Sequence, residues 1–122
     1  MRRLMSLLFL LACLTGPGLA GAQSYPNKPV TWIVPFAVGG PTDALARSIA
    51  ERVARELGQT IVVENVPGAG GTVGAGKAAR SPADGYTMLV GHMGYMGAAP
   101  ALYKKLPYDP VRDFDPVPRT GS

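Results

Sequence analysis

Cysteine and histidine are almost absent from this sequence. Cys13 is the only cysteine and His92 the only histidine among 122 residues. A disulfide scaffold and a cysteine metal site are therefore excluded, and one histidine among scattered carboxylates gives no support to any other metal site. We expect neither a metal nor another cofactor.

The sequence also lacks an apolar run of the ~20 residues that a membrane-spanning helix needs. Its longest apolar run, residues 4–14, follows a pair of arginines and precedes the small residues Ala20-Gly21-Ala22. This order is typical of a cleavable export signal, so we predict a signal peptide over residues 1–22. A less favoured alternative is a lipoprotein box ending at Cys13, which would attach the protein to a membrane through a lipid.

An excess of one charge is missing as well. The chain has 12 lysines and arginines against 8 aspartates and glutamates, and two of the arginines belong to the predicted signal. The remaining basic residues are scattered and mixed with acidic ones, whereas a surface that follows nucleic-acid phosphates needs them clustered. We therefore expect no nucleic-acid partner.

After the signal, the sequence alternates between strand and helix patterns. Runs of β-branched and aromatic residues predict strands over 30–34, 60–64 and 86–90. An amphipathic pattern predicts a helix over 43–57, and a stretch of small residues predicts a shorter helix over 72–79. Because such alternation is typical of parallel strands joined by helical crossovers, the predicted fold class is α/β.

The longer helix has recognisable ends and an apolar face. Thr42 or Asp43 is placed to cap its start, and Gly58 stands where a glycine commonly ends a helix. The face that we expect against the sheet consists of Leu45, Ile49 and Val53 with the neighbouring Ala46 and Ala50.

A glycine-bearing turn follows each predicted strand. The carboxyl ends of parallel strands lie at one edge of a sheet, where α/β proteins bind their ligands. Glycine lets backbone N–H groups approach a ligand, and the start of a helix adds a positive dipole. We therefore expect one site for a small anion, built from the turns at Gly39-Gly40, Gly68-Ala69-Gly70-Gly71 and Gly91-His92-Met93-Gly94.

Motifs of nucleotide-binding and hydrolytic proteins are incomplete. Residues 71–78 match GxxxxGK of a phosphate-binding loop, but Ala78 stands where a hydroxyl for Mg²⁺ is required. Residues 74–79 match GxGxxA of a dinucleotide fold, but no acidic residue follows at the ribose spacing of about 20. The sequence has no GxSxG nucleophile motif and pairs no nucleophile with His92. We expect the protein not to be an enzyme.

Side chains near the turns each allow two interpretations. His92 is either a donor to a bound carboxylate or a partly buried structural residue. Asp43 either caps the helix or contacts the ligand. Phe36, Met93 and Tyr95 either line the pocket or belong to the core.

Motifs along residues 25–117 resemble one protein family. The combination of Asn-x-Pro-Gly-Ala-Gly-Gly with Leu-Pro-Tyr-Asp-Pro is the most specific part. On these residues the sequence is similar to the Bug family, the periplasmic solute-binding proteins of tripartite tricarboxylate transporters. The matching segments are Tyr25-Pro26-Asn27-Lys28-Pro29, Ile33-Val34-Pro35-Phe36 with Gly39-Gly40 and Asp43, Val62-Val63-Glu64-Asn65 with Pro67-Gly68-Ala69-Gly70-Gly71, Asp84-Gly85-Tyr86-Thr87, Pro100-Ala101-Leu102-Tyr103 and Leu106-Pro107-Tyr108-Asp109-Pro110.

The resemblance implies a monomeric periplasmic receptor of the periplasmic-binding-protein type II class, in which a parallel sheet is flanked by helices. Two lobes would close on a small carboxylate, which the receptor delivers to an inner-membrane tripartite permease. Residues 23–122 would form part of the N-terminal lobe, with the chain ending before the second. The alternative is a truncated remnant that binds no solute, or an interaction or signalling module of the same family.

The resemblance also implies ligand contacts in the three turns. Members of the family often have Ser or Thr hydroxyls in the third turn, which this chain lacks there, so the carboxylate itself is not identified. The implied ligand residues are Phe36, Gly39, Gly40, Thr42, Asp43, Gly68, Ala69, Gly70, Gly71, His92, Met93 and Tyr95.

Overall fold

A computed structural model describes residues 24–117, so the predicted signal peptide over 1–22 lies outside the described residues. Within the described part, three strands form one parallel sheet in the order β2-β1-β3. The strands are β1 (Val30–Val34), β2 (Ile61–Asn65) and β3 (Thr87–Leu89). The α/β prediction is confirmed.

The strand register brings the carboxyl ends of all three strands to one edge. Val34 at the end of β1 pairs with Asn65 at the end of β2, and Ile33 pairs with Leu89 at the end of β3. The next residues continue the ladder, since the Val66 N–H donates to the Val34 carbonyl at 2.9 Å. The three connections that follow the strands therefore start side by side.

Helix α1 (Pro41–Leu57) begins two residues earlier than predicted. Gly40 occupies the N-cap position and Pro41 the first turn, where the missing proline N–H costs no hydrogen bond. The prediction that Thr42 or Asp43 caps the helix is therefore wrong. The predicted end is confirmed, because Gly58 adopts φ +67° and its N–H donates to the Ala54 carbonyl at 3.0 Å.

The buried face of α1 differs from the predicted one. Ala46 and Ala50 are buried, whereas Leu45 is 62% exposed and Ile49 is 45% exposed. Two alanines one helical turn apart let the helix lie close to the sheet, and this orientation turns the neighbouring Leu45 and Ile49 outward. Of the predicted face, Ala46 and Ala50 are buried and Val53 is partly buried, while the other two large residues are exposed.

Helix α2 (Thr72–Ala79) confirms the second predicted helix and follows a short 3₁₀ turn at Ala69–Gly71. At Gly74 it packs closely on the residues that directly follow β1 and β2. A Cβ atom there would lie 2.7 Å from the Val66 carbonyl oxygen and 2.8 Å from the Cβ of Pro35. The glycine in this part of the GxGxxA-like segment thus serves close helix packing.

A helical segment that the sequence did not predict follows β3. A π-helical turn at Gly94–Ala98 leads into α3 (Ala99–Leu102), and Pro100 fits because it lies in the first turn. Tyr95, Ala99 and Tyr108 form a buried cluster with Ala75 of α2. In the described part of the chain, no helix is long and apolar enough to cross a membrane.

Candidate functional site

The connections after the three strands pack together at the carboxyl edge of the sheet. We call residues 36–43, 66–71 and 91–95 the carboxyl-edge loops. The ring of Phe36 in the first loop lies 5.3 Å from the His92 ring in the third, measured between centroids, and 6.1 Å from the Tyr95 ring. The structure therefore brings together Phe36 and His92, which are 56 residues apart in the chain (92 − 36).

A buried carboxylate shapes the first loop. Asp43 is 2% exposed, and its Oδ2 accepts the Gly39 N–H at 2.8 Å. The Nε of Arg47 donates to both carboxylate oxygens, at 3.0 and 3.1 Å. The hydrogen bond from Gly39, followed by those from Arg47 and Asn65, lowers the pKa of Asp43 to about 2. Asp43 is therefore ionised at neutral pH and holds the loop to the start of α1.

Asn65 extends this network to the end of β2. Its Nδ2 donates to the Asp43 carboxylate at 2.9 Å and to the Phe36 carbonyl at 3.0 Å, while its Oδ1 accepts Arg47 Nη2 at 2.8 Å. We call these three side chains the Asp43–Arg47–Asn65 network. Sequence reasoning missed Arg47 and Asn65 as site residues, although Asn65 directly follows the strand predicted over 60–64 and belongs to one of the family motifs.

The network limits what the first loop can offer a ligand. The Gly39 N–H is used by Asp43, and the Gly40 N–H donates to the Ala37 carbonyl at 3.4 Å. Because the Asp43 oxygens accept internal hydrogen bonds, these residues maintain the loop conformation. Thr42, in the first turn of α1, remains partly exposed.

The second loop contains four consecutive residues with positive φ, which are Gly68, Ala69, Gly70 and Gly71. The Gly71 N–H donates to the Gly68 carbonyl at 3.0 Å, which closes the turn. Gly71 is buried, and a Cβ atom added there would overlap the ring of Tyr95. The other three residues are exposed, so the loop has a buried base and an exposed tip.

The third loop contains one core side chain and two exposed side chains. Tyr95 is fully buried, its hydroxyl donates to the Val90 carbonyl, and burial holds the pKa of that hydroxyl well above its ordinary value. Of the two interpretations of Tyr95, its burial favours a place in the core beneath the loops. Met93 is 83% exposed, and His92 is exposed beside it.

The carboxyl-edge loops contain no lysine or arginine. The nearby cations are already paired, Arg47 with Asp43 and Lys77 with Glu64. The donors that these loops offer a ligand are therefore backbone N–H groups, the Thr42 hydroxyl and the His92 ring. Within residues 24–117 no group of three His, Cys, Asp or Glu side chains is placed to hold a metal ion.

Two depressions in the surface lie away from these loops. One, of about 620 Å³, is formed by residues 100–113, and the other, of about 350 Å³, lies between α1 and β2. Phe36, Gly70 and His92 line neither of them. The exposed residues of the carboxyl-edge loops thus do not face into either depression.

Comparison with known proteins identifies relatives of this chain. It is 48% identical over 102 residues to the UPF0065 protein in the TAR-I ttuE-ttuC' intergenic region of Agrobacterium vitis, covering 83% of this chain and 29% of the relative. It is similar to the solved structure of MatC from Rhodopseudomonas palustris with bound malate, at 53% identity and a TM-score of 0.73, covering 76% of this chain and 32% of MatC. The R. palustris protein Rpa4515, solved with adipate, is 41% identical with a TM-score of 0.68, covering 71% of this chain and 29% of Rpa4515.

The chain spans about three tenths of the length of these relatives. The family model of the tripartite tricarboxylate transporter family receptor, TctC, matches residues 45–120. This match includes the second and third carboxyl-edge loops and confirms the resemblance that the motifs indicated. The chain belongs to the tripartite tricarboxylate transporter receptor family.

Proposed function

We propose that this protein is a periplasmic receptor that binds a small carboxylate and delivers it to an inner-membrane tripartite permease. The observation that supports the ligand class best is the gathering of three glycine-bearing loops, one of which leads into the start of helix α1, at the carboxyl edge of one parallel sheet. Family membership adds to it, since relatives were solved with malate and adipate. Binding rather than catalysis is the proposed activity.

The proposal assigns residues 1–22 to a cleaved signal peptide and residues 23–122 to part of an N-terminal lobe. The carboxyl edge would supply one wall of a cleft, and a second lobe would supply the other. Such a division accounts for the exposed residues at the tips of the loops, because a ligand that is enclosed by closure needs only part of its surface covered by each lobe.

The proposed ligand contacts lie on the exposed parts of the loops. Backbone N–H groups at the tip of the second loop and at the start of α1 would act as donors to a carboxylate. His92 and Met93 would face the ligand from the third loop, with Phe36 between the loops. The remaining predicted residues would act by holding these in place, and they are Gly39, Gly40, Asp43, Gly71 and Tyr95.

Calorimetric titration of the protein at its natural length tests this proposal. Malate, succinate, adipate and citrate are the ligands, and the dimethyl ester of succinate is the uncharged control. We expect saturable binding of at least one di- or tricarboxylate and none of the ester. A bound ligand at 100 times its Kd should also add about 2.7 kcal/mol to the free energy of unfolding. Absence of heat and of stabilisation with every carboxylate would contradict the ligand class and favour the non-binding alternative.

The intact mass of the protein from its native envelope fraction tests the export part. We expect an N-terminus at Gln23 with no lipid. A mass that retains residues 1–22 would contradict cleavage, and a lipid mass on Cys13 would show anchoring at the membrane instead.

A further inference from the structure

The backbone of the third loop fixes which nitrogen of His92 is protonated. The Gly94 N–H donates to His92 Nδ1 at 3.0 Å. A nitrogen that accepts a hydrogen bond has no proton of its own, so the neutral ring must bear its proton at Nε2. Nε2 of His92 is therefore a donor and cannot accept.

The ring is also held in orientation by its neighbours. It stacks on the Tyr95 ring with an interplanar angle of 25° and a centroid separation of 6.1 Å. The Phe36 ring meets it edge-on at 71°. Among residues 24–117, no side chain or backbone group forms a hydrogen bond with Nε2 of His92. An exposed ring with fixed orientation and one unused donor is thus present at the carboxyl edge.

Resting on the carboxylate-binding function proposed above, we infer that His92 is a specificity-determining residue that donates its Nε2–H to a ligand oxygen. The matching ligand group is a carboxylate, carbonyl or hydroxyl oxygen. An ammonium group, which only donates, would find no acceptor on this ring. Since the loops contain no lysine or arginine, His92 is the one side chain in them with a nitrogen donor.

Two substitutions separate ligand donation from support of the turn. His92→Asn keeps an oxygen near the position of Nδ1, which accepts the Gly94 N–H, but it is too short to place a donor at Nε2. His92→Gln places an amide N–H₂ near the position of Nε2. We expect His92→Asn to weaken binding of the carboxylate that the wild-type protein binds best by about tenfold or more, because a hydrogen bond to a charged acceptor is lost. We expect His92→Gln to remain within about threefold of the wild type.

The tautomer is measured independently on the unliganded protein. Long-range ¹H–¹⁵N correlation spectra of the imidazole ring at pH 8 should show a proton at Nε2. A proton at Nδ1 would overturn the inference, as would equal affinities of the wild-type protein and His92→Asn. If the wild-type protein binds no carboxylate at all, the proposed function fails and the inference fails with it. If the wild-type protein binds a carboxylate but the His92 variants do not show the expected affinities, the inference fails and the proposed function stands.

Discussion

The two ends of the sheet use the residues of the family motifs in different ways. At the amino edge, where β1 and β3 begin, the motif side chains contact one another. The rings of Tyr25 and Tyr86 lie 5.1 Å apart edge to face, and the Tyr86 hydroxyl accepts the Asn27 N–H at 3.0 Å and donates to its side chain at 2.8 Å. Lys28 lies 4.4 Å from the centroid of the Tyr86 ring and 3.9 Å from Asp84. Because these groups bind one another, few of them are available to contact a ligand.

The carboxyl edge has a closed inner layer and an open outer layer. The Asp43–Arg47–Asn65 network and the contact of Gly71 with Tyr95 form the inner layer, with the polar groups paired. Gly70, His92 and other exposed residues form the outer layer. Motif residues at the amino edge therefore serve folding, whereas those at the carboxyl edge divide between folding and the proposed binding. Substitutions should distinguish the amino edge, the inner layer and the outer layer.

The largest effect is expected in the inner layer, from Gly71→Ala. The added Cβ would overlap the buried ring of Tyr95, and alanine would have to adopt φ +98°. Overpacking of a buried contact and positive φ together should lower the free energy of unfolding by about 2–4 kcal/mol. Urea denaturation followed by circular dichroism measures the change, and ligand affinity should fall with it because the second loop must move.

Gly70→Ala is the matched control for Gly71→Ala. Gly70 also has positive φ, at +65°, but a Cβ atom there would have no atom within 4 Å. We expect a loss of only about 1 kcal/mol, from the backbone strain alone. If the two variants lose the same free energy of unfolding, the contact with Tyr95 does not cause the destabilisation by Gly71→Ala.

A smaller effect is expected from Asp43→Asn, and it should depend on pH. An amide at this position must direct a donor at one of the three groups that now donate to the carboxylate, which are Gly39, Arg47 and Asn65. The variant should therefore be less stable than the wild type at neutral pH. Its loss of stability should be smaller than that of Gly71→Ala. Urea denaturation over a series of pH values gives the comparison.

The sign of the pH dependence follows from the lowered pKa of Asp43. Because its folded-state pKa of about 2 is below the ordinary value of 3.8, the ionised carboxylate stabilises the fold fully above about pH 4. This contribution is lost as the pH falls towards 2, so the difference between wild type and variant should shrink over that interval. Glu51→Gln, which changes an exposed carboxylate on the same helix, is the control. A difference that stays constant down to pH 2 would contradict the assigned role of the charge.

Local patterns predicted most of the fold but not the inner layer of the site. The strands, the short helix α2 and the glycine that ends α1 have signals within a few residues, and the structure confirms them. Arg47 has acidic neighbours four residues away in both directions, Asp43 and Glu51, so spacing alone does not decide its partner. Arg47 pairs with Asp43 on the side where it also binds Asn65. Only the strand register brings Asn65 near these two residues.

Two further differences between the predicted and the observed structure also arise from long-range packing. The apolar pattern of α1 does not specify how closely the helix lies on the sheet, and the small residues Ala46 and Ala50 take the contact in place of Leu45. Tyr95 follows a glycine-bearing turn, and its burial depends on Tyr108 packing back from a later segment, where the Tyr108 hydroxyl donates to the Tyr95 carbonyl. Such placements depend on long-range packing and have no local signal.

Tyr86→Phe tests whether the amino edge serves folding alone. The substitution removes the hydroxyl that binds the backbone and side chain of Asn27 but keeps the ring against Tyr25. We expect a loss of about 1 kcal/mol in the free energy of unfolding, because the groups that it frees are exposed to water. Carboxylate affinity should stay at the wild-type value in calorimetric titration. A fall in affinity without a larger loss of stability would show that the amino edge influences the binding edge.

The smallest effect is expected from Lys28→Gln at the same edge. Lys28 and Asp84 are about half exposed at 3.9 Å, so water and salt screen their attraction, and the cation–π contact with Tyr86 is also at the surface. We expect a loss below about 1 kcal/mol that decreases further as salt is raised from 0.05 to about 0.5 M. Lys104→Gln, a change of the same charge at another exposed lysine, separates this local effect from that of net charge. If the loss persists at high salt, it comes from packing of the lysine stem on the Tyr86 ring rather than from its charge, and the amino edge would then be held by apolar contact.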